Sequence, residues 1–266
     1  MLHYSTYEIG PNYEWVTFIH GAGGSSSIWF RQIKEFSKLY NILLIDLRGH
    51  GKSKEHNYRL LNSYSFDQIG DDIIEVLDHL NIAATHFVGI SMGSIIIREI
   101  TDRHPRRVRS LIMGGAIMDM DWKSKILMWF GMMFKSIIPY MLLYRMYALI
   151  ILPRRTHRDS RQLFIREAKK LDQKEFLRWF SLTTQLNSLL HQFRENVIAS
   201  PTLYIMGDED HMFLPAVSKL VENHENAQLC VLRQCGHVVN IQRPKEFNAN
   251  ALSFLVSLKS KLIKSH

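Results

Sequence analysis

The stretch THFVGISMGSIIIREI, residues 85–100, is apolar through Val88 and Ile90, breaks at Ser91 between Gly89 and Gly93, and resumes with Ile95, Ile96 and Ile97. Its first six residues have the composition of a buried strand, and from Met92 onward it has the length of a helix, closed by Pro105. A hydroxyl between two glycines at that junction has a physical reading. Glycine at 89 and 93 removes Cβ atoms that would clash with the neighbouring strand and helix, so a tight turn can hold Ser91 out at the carboxyl edge of a sheet while its backbone is strained. Strand, Gly-x-Ser-x-Gly, helix is the context in which a serine is presented for nucleophilic chemistry, whereas a serine before a helix elsewhere serves as an N-cap.

On both sides of this turn, short β-rich runs alternate with segments of helical period. The runs are WVTFI (15–19), NILLID (41–46), VRSLIMGG (108–115), PTLYIMG (201–207) and AQLCVL (227–232). Between them, SFDQIGDDIIEVLDHL (65–80) places Ile69, Ile73, Leu77 and Leu80 three or four apart, one face of an amphipathic helix. Strands apolar throughout and separated by helices predict an α/β fold with a mostly parallel sheet covered on both faces. Residues 117–196 break the rhythm: they hold seven of the twelve methionines and three of the five tryptophans, with no strand pattern. The expected organisation is a core of residues 1–116 and 197–266 interrupted by a helical lid at 117–196. Within the lid, Phe176, Trp179, Phe180, Thr183, Leu186, Leu190 and Phe193 recur at helical spacing, read as a face packed on the rest of the protein.

The net charge of +8 over 266 residues is concentrated in the same middle segment, which carries fourteen Lys plus Arg against seven Asp plus Glu. Solvated helix faces are the simplest reading of that excess; attraction to an anionic membrane surface or an acidic substrate is the functional alternative. Nucleic acid is not expected, because no recognition motif accompanies the charge. The apolar part of the segment is interrupted by Lys135, Pro139 and Arg145, so no run reaches the roughly 18 residues of a membrane span. The N-terminus has no basic region followed by an apolar run, so a cytoplasmic location is expected. Cys230 and Cys235 lack a paired-motif spacing and are expected to be free thiols. No metal-ligand spacing or Gly-rich phosphate loop is present in the sequence, so neither a metal nor another cofactor is expected.

A serine hydroxyl needs a base, and the base an orienting carboxylate. YIMGDEDHMF ends a strand and offers Asp208 and Asp210; RQCGHVVNIQRP follows the last strand and offers His237. His211, beside the acids, is a weaker rival base, and His20 and His50 read as structural.

Six segments in order now carry a resemblance. HGAGGSSSIW (20–29), DLRGHGKS (46–53), GISMGS (89–94), DRHPRRVRSLIM (102–113), PTLYIMGDED (201–210) and GHVVNIQRP (236–244) together resemble the small, lidded serine hydrolases of the α/β-hydrolase fold. The resemblance covers nearly the whole chain except the lid. It implies Ser91 as nucleophile, His237 as general base, and Asp210, third after Gly207, as the orienting acid with Asp208 in reserve. It further implies an oxyanion hole of the Ala22 and Met92 backbone N–H groups. Ser91 argues against the family's dehalogenase and epoxide-hydrolase branches, which use Asp, and Ile95 against the menaquinone-pathway lyase, which has an arginine at that helix position. Trp129, Met132, Met133 and Met141, with Met128, Phe130, Phe134 and Met146, are the expected wall of an apolar acyl pocket. The implied activity is a carboxylesterase or lipase-like hydrolysis of a small-molecule ester or thioester. Carbon–carbon bond cleavage of dienoates on the same scaffold and a triad-bearing small-molecule sensor are the alternatives, and peripheral contact with an anionic membrane is compatible with all three.

Overall fold

The computed structural model describes residues 1–55, 64–120, 122–134 and 137–264; Lys135 lies outside them. Seven strands form one sheet: β1 (Tyr4–Tyr7), β2 (Trp15–Ile19), β3 (Asn41–Ile45), β4 (Thr85–Ile90), β5 (Val108–Gly114), β6 (Thr202–Gly207) and β7 (Ala227–Leu232), in the order β1-β3-β2-β4-β5-β6-β7. All pairings are parallel except β1 with β3. Every residue of β3, β4 and β6 is buried, which is why these strands read as mainly apolar runs without alternation. The antiparallel edge strand β1 is the element that the sequence pattern did not announce. Its YSTY is only partly buried, so no continuous apolar signal marks it.

Helices cover both faces. Ile69, Ile73 and Leu77 of α2 (Phe66–His79) and Ile96 and Ile100 of α3 (Met92–Arg103) pack in one cluster. Phe36 of α1 (Phe30–Phe36) and Phe247, Ala251 and Leu255 of α11 (Pro244–Lys264) pack in the other. The remaining core helices are α9 (Leu214–Glu222) and the short α10 (Val239–Gln242). Strand order reverses around β2: the chain steps to β3 on one side, then returns to β4 on the other. The loops leaving β2 and β4 therefore meet at the carboxyl edge of the sheet, where open α/β sheets form their binding crevice.

Among the described residues, five α-helices stand between β5 and β6: α4 (Trp122–Phe134), α5 (Tyr140–Ile151), α6 (Arg158–Ala168), α7 (Gln173–Ser181) and α8 (Thr183–Glu195). They divide into two layers. Leu143 and Tyr144 of α5, Ala168 of α6 and Phe176 and Phe180 of α7 form an apolar cluster of their own. Trp179, Leu186, Leu190 and Phe193 of α7 and α8 belong instead to the main cluster under the sheet. The Trp179 indole N–H also donates to the Arg48 carbonyl at 2.9 Å, and the Tyr64 hydroxyl donates to the Glu175 carboxylate at 2.6 Å.

Candidate active site

Ser91 sits between β4 and α3 with φ 54° and ψ −122°, a left-handed conformation that a residue with a side chain rarely adopts. The flanking glycines make it possible. A Cβ on Gly93 would overlap the Ile19 carbonyl oxygen at the end of β2, and one on Gly89 would lie 2.7 Å from the Gly93 carbonyl oxygen. The turn is pinned on both sides, by the Ser91 N–H donating to Gly114 at 3.0 Å and the Ser94 N–H donating to the Ser91 carbonyl at 2.9 Å.

The loop after β7 brings His237 over this turn, and the turn after β6 brings Asp210 behind it; both are buried. The Ser91 hydroxyl donates to His237 Nε2 at 2.9 Å, and His237 Nδ1–H donates to Asp210 Oδ2 at 2.8 Å. The tautomer follows from the network, because an ionised carboxylate only accepts. The structure thus brings together Ser91, His237 and Asp210, which stand far apart in sequence. Asp208 is placed elsewhere: its Oδ1 accepts the Cys235 N–H at 3.1 Å and ties the acid turn to the histidine loop. His211 is exposed and faces the Glu209 carbonyl. Cys235 is buried, and burial pushes its thiol up to about 12, so it is not a thiolate at neutral pH.

Ala22 and Met92 lie beside Ser91 on the wall of one cavity. Among the described residues, neither backbone N–H has an acceptor, leaving two donors free at the serine. The loop carrying Ala22 is held by two buried imidazoles. His50 Nδ1–H donates to the Arg48 carbonyl at 2.8 Å while its Nε2 accepts the Gly23 N–H at 2.9 Å. His20 Nδ1–H donates to the Gly21 carbonyl at 2.8 Å while its Nε2 accepts the Leu47 N–H at 3.1 Å. Each ring must be neutral to accept, and burial lowers both, His50 to about 3. From the insert, the Tyr144 hydroxyl donates to the Ala22 carbonyl at 3.1 Å, and the Ser25 hydroxyl donates to the buried Glu167 carboxylate at 3.1 Å.

Two cavities flank Ser91. The larger, about 180 Å³, is walled by Met120, Met128, Tyr144, Tyr147, Phe176, Phe180 and Phe213 among others, with no charged side chain among the described residues. The smaller, about 40 Å³, lies against His237, Leu163, Glu167 and Ile241. Leu163 and Ile241 also line an open polar groove that contains Arg31, Arg166 and Arg243.

The expected pocket wall needs correction. Trp129, Met132, Met133 and Met141 do not line the larger cavity; of the lid methionines named for it, Met128 does. Trp129 and Met133, four apart on α4, face outward and are 63% and 59% exposed. Met132 packs in the insert's own cluster, and Met141 precedes the part of α5, Tyr144 to Ile151, that reaches the cavity. Much of the true wall is Phe176, Trp179, Phe180, Thr183 and Leu186, the periodic face read as packing alone, so its aromatic content was the available signal. Tyr144, Tyr147, Phe164 and Phe213 carried no signal that separates a pocket wall from a core. Among the described residues no group of three or more His, Cys, Asp or Glu side chains is placed to hold a metal ion.

With the sheet order, the strained serine turn and the Ser91, His237 and Asp210 chain in place, the family is defined. The alpha/beta hydrolase fold matches residues 14–244, and the chain belongs to that family. A 98-residue stretch is 35% identical to 3-oxoadipate enol-lactonase 2 of Acinetobacter baylyi, covering 37% of this chain and 35% of the lactonase, so the match spans about a third of each protein. Among solved structures, a carboxylesterase of the thaumarchaeon Nitrososphaera gargenis superposes with a TM-score of 0.79 at 20% identity, over 97% of this chain and 95% of that one. The enol-lactonase of Burkholderia xenovorans superposes with a TM-score of 0.77 at 21% identity, over 96% of each chain. At these identities the superpositions speak for the fold.

Proposed function

We propose that this alpha/beta hydrolase cleaves uncharged carboxylic esters, open-chain or cyclic, or thioesters, whose acyl part is compact and apolar, through an acyl-enzyme on Ser91. The observation that carries the reading is the hydrogen-bonded chain from Asp210 to Ser91 opening onto a cavity whose described wall is apolar. Attack of Ser91 Oγ on the carbonyl carbon sends its proton to His237 Nε2, and Asp210 stabilises the imidazolium. The negative oxygen of the tetrahedral adduct falls to the Ala22 and Met92 N–H groups, each such donor worth about 3–4 kcal/mol. His237 then protonates the leaving oxygen or sulfur, and water attacks the acyl-enzyme by the reverse path.

The cavity sets the size of the acyl group. At about 180 Å³ it is somewhat larger than the roughly 150 Å³ apolar cavity that accepts benzene, so it suits an aromatic ring or a medium alkyl chain. The helical insert that supplies most of the wall is the lid. The leaving group is assigned to the other side of Ser91, to the small cavity whose wall residues Leu163 and Ile241 also line the polar groove. Similarity to a carboxylesterase and to enol-lactonases favours a carbonyl–oxygen bond as the one broken. A dienoate would require a cation for its carboxylate, and among the described residues no Lys or Arg lines either cavity beside Ser91.

Intact-mass analysis after incubation with a fluorophosphonate, combined with rates on 4-nitrophenyl esters from acetate to dodecanoate, tests the proposal. A single adduct on Ser91 and a chain-length optimum between butanoate and octanoate are expected. No adduct on folded protein, or a strict preference for acetate, rejects it; binding without turnover would favour a sensor.

A further inference from the structure

The outward side of α4 is apolar where a surface helix is ordinarily polar. Trp122, Ile126, Trp129 and Met133 stand at i, i+4, i+7 and i+11, a single stripe, and are 67%, 56%, 63% and 59% exposed. Ile137, just beyond the helix, is 77% exposed, and Leu142 and Leu149 of α5 are also more than half exposed. The helix has its own inward contacts: Met128 lines the cavity, and Gly131 is buried against Tyr147 and Phe180. None of the four stripe residues is among those that line the larger cavity. Contiguous exposed apolar surface of this kind marks an interaction site.

Along the chain from the start of the stripe the charge is of one sign, although Asp119 and Asp121 directly precede Trp122. From Trp122 through Arg158 the chain carries seven Lys and Arg and no Asp or Glu. Lys125 of α4 and Arg145 of α5 are exposed. A second copy of this chain docking through the same face would bring those cations against their own equivalents, since a two-fold interface is self-complementary. An anionic lipid surface answers both features, offering apolar depth beneath the headgroups and negative charge at their level. Trp122 and Trp129 are the residue type that settles at that boundary. Among the described residues no helix is long and apolar enough to cross a membrane, so α4 would lie along the surface.

We propose that α4 docks the protein on an anionic phospholipid surface, with the stripe from Trp122 to Met133 entering the headgroup region and Lys125 and Arg145 facing lipid phosphates. Met128, adjacent to Trp129, lines the larger cavity, so docking brings the cavity wall to the membrane surface.

Flotation of the full chain with vesicles of phosphatidylcholine, with and without phosphatidylglycerol, at low and high salt, tests the docking. Recovery with the anionic vesicles at low salt is expected, falling at least about tenfold on neutral vesicles or in high salt. An Ile126→Ser, Trp129→Ser double variant is expected to lose binding at least tenfold while keeping the wild-type melting temperature and its activity on a water-soluble ester. Lys125→Glu is expected to weaken binding to the anionic vesicles alone. Absence of wild-type recovery with anionic vesicles overturns the proposal, as does full binding by the double variant. A dimer that forms without vesicles and is abolished by the same double variant also overturns it, by assigning the stripe to self-association.

Discussion

At the scale of single residues, the candidate site depends on which groups hold a proton. His20 and His50 each accept a backbone N–H, and protonating either removes a hydrogen bond from the loop that carries Ala22. Burial lowers His50 from an ordinary 6.5 to about 3. Between those values the unfolded chain binds a proton that the folded chain refuses, so stability is present above 6.5 and is lost as pH falls toward 3. The loss from His50 is about 1.4 kcal/mol per pH unit in that window. Urea midpoints at pH 7, 5.5 and 4.5 should fall steeply for wild type, and His50→Gln should be less stable at neutral pH but flatter by about one proton. An unchanged slope in the variant would show that His50 titrates normally. Residues that act through the backbone behave differently. Ala22→Gly leaves the N–H in place and should change turnover only mildly, whereas Ser91→Ala should abolish the fluorophosphonate adduct and lower turnover about ten-thousandfold or more. Measured turnover in Ser91→Ala close to wild type would remove Ser91 from the mechanism.

At the scale of elements, the junction of β4 with α3 is tightly constrained. Because a Cβ at Gly93 would meet the Ile19 carbonyl, Gly93→Ala should destabilise by about 3 kcal/mol, against the small gain usual for Gly→Ala in a helix. Thermal denaturation of Gly93→Ala beside Gly10→Ala, where an added Cβ has room, separates the clash from the general effect; equal melting temperatures would refute it. The same constraint made this junction legible, because few residue types satisfy it. The central strands were legible for a related reason: strands buried on both faces are mostly apolar, and a run of them cannot be mistaken for a solvated face, whereas the largely half-buried β7 was legible from its β-branched and apolar composition. Helical faces in the insert give no such certainty. Met128 and Trp129 are both large and apolar and differ by one residue, a rotation of about 100° that sends one into the cavity and the other to the surface. Composition is symmetric between those outcomes; only the packing of α4 on Tyr147 and Phe180 decides between them. The edge strand β1 is obscured by the converse effect, since a half-exposed strand of polar and aromatic residues has no period to read.

At the scale of the whole molecule, the two layers of the insert imply unequal stability. The inner layer, α7 and α8, shares the main apolar cluster, so opening it would expose core side chains such as Trp179, Leu186 and Phe193. The outer layer, α4 to α6, rests mainly on the smaller cluster that it shares with Phe176 and Phe180 of α7, with Met128 of α4 reaching the main cluster, and on polar contacts to three places in the core. Tyr144 reaches Ala22, Glu167 reaches Ser25, and His157 reaches Glu209 at 2.6 Å. Two of those contacts end on the loop of the candidate oxyanion hole, and the third on the residue beside Asp210. Any movement of the outer layer would therefore act on the geometry of the site. Local opening costs least where little apolar surface is packed, so hydrogen exchange should be fastest in α4 and α5, intermediate in α6 and slowest in α7 and α8. Mass-spectrometric exchange on peptides across residues 122–195 measures this directly, and Tyr144→Phe should raise exchange in α5 while leaving α8 unchanged. Equal protection from α4 through α8 would mean that the insert opens as one body, and that the apolar face of α7 and α8 must leave the core whenever the cavity admits a substrate.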